Sequence, residues 1–309
     1  MKPALRRLGR RLGALARSAL APAVGALLMF FFHVIRRCDR VWISNVFAAV
    51  ARTIGPWTSE HKIGRANLAA AFPEKSPAEI EKILAGVWDN LGRVAAEFAH
   101  LDRLTVGDPF NLPSLKFDRV MADRFDRIRD DGKPALVFAA HLGNWELPAI
   151  VAAAFGLDAM VLFRRPNIGP IADAVIAIRQ GSMGTLVPTD NYAPVKLARA
   201  LEDNRHVAML VDQHYVKGVE VEFFGRRCRA NQLIAVLARH VECPIYGTRI
   251  IRLPDGAFRG EITEEVPPVR DAEGKVDVQG TMQAITTVVE GWVREHPEQW
   301  LWLHRRWRE

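Results

Sequence analysis

Leu5, Leu8, Leu12 and Leu15 recur at steps of three and four, with Arg6, Arg7, Arg10 and Arg11 among them. That spacing predicts a basic amphipathic helix. Residues 18–35 then carry no Asp, Glu, Lys or Arg and include the run Leu27-Leu28-Met29-Phe30-Phe31-Phe32, an apolar stretch just long enough to span a bilayer. From about residue 42 to residue 101 the signals stay helical. Ser76-Pro77-Ala78-Glu79 supplies a serine cap, a proline in the first turn and an acid three residues on, opening a helix that runs through Trp88 and Ala95. Beyond residue 135 the pattern changes to short apolar runs separated by amphipathic stretches. Strands are expected at 135–140, 159–163, 185–187, 207–211, 219–224, 245–252 and 258–264. Helices are expected near 145–155, 168–181, 192–203, 231–242 and 280–295. This alternation predicts an α/β fold with a mainly parallel central sheet flanked by helices. The only linker-like stretch is 267–274, and there is no internal repeat.

Charge sharpens this division. Residues 1–40 hold nine Lys and Arg against the single acid Asp39, a net of 9 − 1 = +8, so the remainder of the +7 chain sums to 7 − 8 = −1. A near-neutral body offers no broad basic face for a phosphate backbone, so nucleic acid is not an expected partner. The basic residues instead flank the apolar run, as in segments drawn to anionic headgroups. We therefore read residues 1–40 as a helical membrane anchor and 41–309 as one α/β domain, its helical part 41–130 and its sheet core 131–309. A cleaved signal is disfavoured because Val34-Ile35-Arg36-Arg37 offers no small-residue site. A full span, with six basic residues before it and three after, points the body outward; a helix lying in the inner leaflet keeps it inside, and fits the thiols better. Cys38, Cys228 and Cys243 form an odd set without metal-ligand spacing, which predicts neither a disulfide framework nor a metal site.

The candidate chemistry lies where the strand at 135–140 ends in His141-Leu142-Gly143-Asn144-Trp145-Glu146. In open α/β sheets, sites form beyond the carboxyl ends of strands. On a continuous helix His141 and Glu146 would stand about 140° apart, so a turn is needed between them. Gly143 can supply the turn and Asn144 can cap a following helix, placing Glu146 in its first turn. From there the carboxylate could fix one imidazole nitrogen and leave the other to take a proton from a hydroxyl. The bare spacing alone fits a histidine satisfied at a strand end beside a solvated glutamate; the adjoining Gly-Asn-Trp favours chemistry.

His-Leu-Gly-Asn-Trp-Glu resembles the signature of the late acyltransferases of lipid A biosynthesis, the lauroyl and myristoyl transferases, with His and Glu separated by four residues. Further blocks agree in order: Asn67-Leu68 through Phe72-Pro73-Glu74, Phe163-Arg164-Arg165-Pro166-Asn167, Arg179 with Gly181 and Gly184, Leu210-Val211-Asp212-Gln213, Phe223-Phe224-Gly225, and Pro297 through Trp302 with His304-Arg305-Arg306. The resemblance implies a glycerolipid-acyltransferase-like fold and a protein of the bacterial inner membrane with its catalytic domain on the cytoplasmic side. It also implies an acyl carrier protein thioester as donor, a lipid A precursor as acceptor and no cofactor. His141 becomes the base, Glu146 its partner and Arg165 a donor to the thioester oxyanion. Gly143, Asn144, Arg179, Asp212 and Gln213 fall at substrate-binding positions, although Asp212 could instead serve only to hold an arginine such as Arg179. His206, His214 and His240 read as structural or incidental, and Trp300, Trp302 and Trp307 with Arg305, Arg306 and Arg308 as an interfacial belt, a site for acceptor phosphates, or a terminal helix packing its tryptophans on the core. Two rivals remain: an acyltransferase acting on another glycolipid or a lysophospholipid, and a non-catalytic peripheral membrane protein. Glu146, where glycerolipid relatives carry Asp, favours the lipid A acceptor.

Overall fold

The computed structural model of the chain describes residues 26–27, 29–103, 115–165 and 169–308. The leucine–arginine repeat of residues 5–15, most of the expected anchor and the Pro166-Asn167 step lie outside the described residues. No helix among the described residues is long and apolar enough to cross a membrane.

Three helices form the amino-terminal layer: α1 (Arg40–Ile54), α2 (Ser59–Ala71) and α3 (Pro77–Glu97). The start of α3 is fixed as its sequence predicts. Ser76 Oγ accepts from the Glu79 amide while the Glu79 carboxylate accepts from the Ser76 amide, satisfying two amides that the first turn leaves unpaired. Ile80, Leu84, Val87 and Trp88 place one face of α3 in the main core, and Gly92 lets the α1 backbone come close: a Cβ there would meet Phe47 O at 2.5 Å.

The remaining elements are β1 (Leu115–Lys116), α4 (Arg119–Asp130), β2 (Leu136–Ala139), α5 (Leu147–Ala154), β3 (Ala159–Phe163), α6 (Gly169–Ser182), β4 (Thr185–Pro188), α7 (Ala193–Glu202), β5 (His206–Leu210), β6 (His214–Phe223), β7 (Arg226–Ala230), α8 (Leu233–His240), β8 (Ile245–Arg252), β9 (Phe258–Ile262) and α9 (Val278–Glu295). Seven strands make one sheet in the order β1-β9-β8-β2-β5-β3-β4, parallel except for the β8–β9 hairpin. The apolar run of β2 is covered on both faces, as expected of a central parallel strand, and β2 lies between β8 and β5. Its register with β5 pairs Ala139 with Leu210, so residues two positions beyond each strand emerge side by side.

The structure refines the sequence expectation in three places. Helix α4 lies inside the expected helical part, 41–130, although its mostly charged residues predict no bounds for it. It holds because Asp118 caps the Met121 amide, while Ile128 is buried and Phe125 packs beside it. Strand β7, Arg-Arg-Cys-Arg-Ala, is too polar to read as an apolar run, yet Cys228 and Ala230 alternate inward, the period of two that a half-buried strand requires. It pairs only with β6, which begins earlier than expected, at His214. The carboxyl-terminal tryptophans form neither a belt nor a helix. Trp300 and Trp302 are fully buried, and Leu142 bridges antiparallel to Trp300, so the chain end is pinned along the loop that follows β2.

Candidate active site

The register of β2 and β5 brings His141 and Asp212 together. Asp212 Oδ1 accepts from His141 Nδ1 at 2.8 Å; its Oδ2 accepts from the His141 backbone amide and from Trp300 Nε1, both at 2.8 Å. Asp212 is buried. Burial alone would raise its pKa, but the charge and hydrogen bonds of His141 outweigh that and hold the carboxyl well below the usual carboxylate range. An ionised carboxylate only accepts, so the shared proton resides on Nδ1 and the lone pair of the neutral ring is at Nε2. The Gln213 amide nitrogen lies 3.2 Å from Nε2. Burial also depresses the imidazole, yet Asp212, by charge and hydrogen bond, and then Glu146, by charge, hold the His141 pKa above its ordinary value of 6.5.

Glu146 does not reach the ring. Its two oxygens take Arg179 Nε at 2.8 Å and Nη2 at 2.5 Å, and the imidazole is held by Asp212 instead. The expected alternative role for Asp212, holding Arg179, therefore falls to Glu146. The physical reason is local. Asn144 Oδ1 accepts from the Glu146 amide at 3.2 Å, but this bond closes a turn ahead of the helix and does not cap it: α5 begins only at Leu147, so Glu146 is itself the cap residue rather than a first-turn acid. Arg165 is also not drawn to the imidazole. It is exposed and pairs with Asp173 at 2.6 Å, whereas Arg164 and Arg179 line the cavity beside His141.

That cavity measures about 880 Å³ and is bounded mainly by apolar side chains, with His141, Trp145, Glu146 and Gln213 among the polar or aromatic groups at its wall. Its volume lies near the upper end of the roughly 300–1,000 Å³ usual for small-molecule sites. Trp145 stands 5.3 Å from the imidazole, centroid to centroid.

A second set of residues fixes the loop from His141 to Glu146. Gly143 has φ +58°, and a Cβ would lie 1.9 Å from Ile250 O, so only glycine fits both the conformation and the space. Its amide donates to Gln299 O and its carbonyl accepts from Asn90 Nδ2 at 2.9 Å. Asn144 Nδ2 donates to buried Glu97 at 2.9 Å, and Glu97 holds Arg252 by two bonds of 2.6 and 2.8 Å. Gln299 closes the arrangement on the Arg252 backbone through both amide atoms. Sequence reasoning missed Asn90, Glu97, Arg252 and Gln299. A signal existed for two of them: Asn90 and Glu97 continue the stripe of Ile80, Leu84, Val87 and Val94 on α3, where polar groups are out of place unless paired.

The cysteines are free. Burial pushes the Cys228 thiol up and Cys243 up to about 11, the opposite of what a thiolate nucleophile needs. His206 is buried, which lowers its pKa, and His240 pairs with Glu202 at the surface. No cluster of groups able to hold a metal occurs among the described residues.

Fold and site together define a class: an α/β protein with a carboxylate-oriented imidazole at the carboxyl ends of parallel strands, bordering a large apolar cavity. Residues 15–309 match the family model described as bacterial lipid A biosynthesis acyltransferase. The chain belongs to that family. Comparison with curated proteins gave no match.

Proposed function

We propose that this protein moves a fatty acyl chain from an acyl carrier protein thioester onto a hydroxyl of a lipid A precursor, at the cytoplasmic side of the inner membrane, without a covalent enzyme intermediate. The observation that carries the proposal is the Nδ1–Asp212 bond, which leaves Nε2 of His141 as a base beside a cavity able to take an acyl chain.

The acceptor hydroxyl replaces the Gln213 amide at Nε2 and gives up its proton there as its oxygen attacks the thioester carbonyl. Collapse of the tetrahedral intermediate breaks the C–S bond, and the imidazolium returns the proton to the departing thiolate. Asp212 fixes the tautomer and stabilises the imidazolium. Glu146 adds negative charge nearby and keeps Arg179 ordered at the cavity wall. Arg165 is proposed as the oxyanion donor. Its tie to Asp173 is an exposed ion pair of the kind worth about 0–1 kcal/mol, so exchanging it for a developing oxyanion costs little. Gly143 and Asn144 shape the loop against which the substrate lies. The amino-terminal basic and apolar segment holds the chain at the membrane.

The test is transfer of labelled acyl chain from carrier protein to acceptor, with acceptor binding followed separately. His141→Ala is expected to slow transfer about 10²–10⁴-fold with little change in Tm. Turnover near wild type, or a loss explained wholly by weaker acceptor binding, would overturn the mechanism.

A further inference from the structure

Helix α1 packs on α3 through Ile43, Ala48 and the close approach at Gly92, while its opposite face is bare. Trp42, Val50 and Ile54 are 58%, 50% and 50% exposed, and Trp57, in the turn that follows, is 81% exposed. Val46 falls between them at helical spacing, so these side chains form one apolar stripe. Isolated exposed apolar residues are ordinary, but an aligned stripe with two tryptophans marks an interaction surface.

Two further observations say what covers it. The helical residues 29–35 lead into α1 through a short turn and expose Phe30, Phe31 and Val34, so exposed apolar side chains stand on both sides of that turn. Within residues 40–59 the charged side chains are Arg40 and Arg52, the latter paired with Asp89; exposed Asp39 and Glu60 stand at the two ends, and exposed Arg37 lies beyond Asp39. An apolar face that itself carries no acid and has arginines at its border suits an anionic bilayer surface. The tryptophans suit the headgroup boundary, where an amphipathic ring is favoured.

We propose that the outer face of α1, centred on Trp42, Val50, Ile54 and Trp57, is an in-plane docking surface for the headgroup boundary of an anionic phospholipid bilayer. It seats the domain beyond what the segment before residue 40 does alone. The proposal rests on the membrane part of the function given above. It also places the bilayer near the reaction: Arg40, the first residue of α1, lies 3.9 Å from Glu97, the carboxylate that holds Asn144 in the loop carrying His141. A lipid acceptor would thus leave the bilayer close to the imidazole.

The experiment uses the full chain with phosphatidylethanolamine–phosphatidylglycerol vesicles, some made with lipids brominated near the headgroup. Tryptophan fluorescence is expected to be quenched in the wild type, with much of the quenching lost in Trp42→Phe/Trp57→Phe. The exposed-site variant Trp42→Ser/Val50→Ser/Ile54→Ser/Trp57→Ser should partition onto vesicles about tenfold or more weakly, with an unchanged circular dichroism spectrum. Equal quenching of the wild type and the phenylalanine variant, or equal partitioning of the serine variant, would overturn the proposal. So would a wild-type dimer that the serine variant loses without any quenching, which would assign the face to a second copy of the chain. Acyl transfer measured in detergent micelles separates the two readings: quenching without any transfer would sink the activity and leave the docking surface standing, whereas transfer without quenching would do the reverse.

Discussion

Two carboxylates act on the site around His141, Glu146 from the cavity wall and Asp212 buried behind the imidazole, and the structure gives them different work. Asp212 follows β5, next to the strand that delivers His141, and spends both oxygens on the imidazole, its backbone amide and Trp300. Glu146 caps α5 and spends both oxygens on Arg179. One orients the base; the other orders a cation on the wall and reaches the imidazole only through its field. Nearness in sequence therefore misleads here. Glu146 is five residues from His141 and Asp212 is seventy-one, yet parallel-strand register makes the distant residue the direct partner.

Changing each carboxylate to its amide separates these roles. Asp212→Asn should give the larger loss, about 10³–10⁴-fold in kcat, because an amide can donate to Nδ1 and so favour the wrong tautomer. Adding His141→Ala to it should cost little more, since the two act as a unit. Glu146→Gln should lose about 10–10²-fold in rate. It should also lower Tm measurably, because Arg179 keeps its half-buried place without a full countercharge; a thermal melt beside the acyl-transfer assay shows both. If Glu146→Gln proved the more damaging to rate at unchanged Tm, the roles given to the two carboxylates would have to be exchanged. The smallest effect is expected from a Cys38/Cys228/Cys243 triple serine variant, which should keep most activity; loss of transfer with an intact circular dichroism spectrum would point to a thiol intermediate.

The sequence made much of this visible through local rules. The capping box at Ser76, the alternation after residue 135 and the strand at 245–252 each follow from nearest-neighbour chemistry and reappear at those positions. The glycine at 143 was legible as a turn, although the reason no other residue fits, the Ile250 carbonyl, belongs to a strand more than a hundred residues away. What stayed hidden depends on strand order and register. The sequence places His141 and Asp212 each just past a strand, but not those strands side by side. Arg165 was assigned by resemblance to the oxyanion, and in the structure it faces Asp173 at the surface. The bounds of helix α4, inside the expected helical part, and the existence of strand β7 are hidden because charged residues dominate both, and only tertiary burial of a few side chains reveals their period.

The most direct measurement of the central claim, that Asp212 orients and tunes His141 as the base, is the pH dependence of kcat/KM in the wild type and in Asp212→Asn. A general base must be neutral to act, so the rate rises as pH passes upward through the His141 pKa. Because Asp212 and Glu146 hold that pKa above 6.5 against the opposing effect of burial, the acidic limb of the wild type should lie above pH 6.5. Removing the Asp212 charge leaves burial dominant, so the limb of Asp212→Asn should move to lower pH as the plateau falls. A limb that stays in place after this substitution, at either plateau height, would contradict the account.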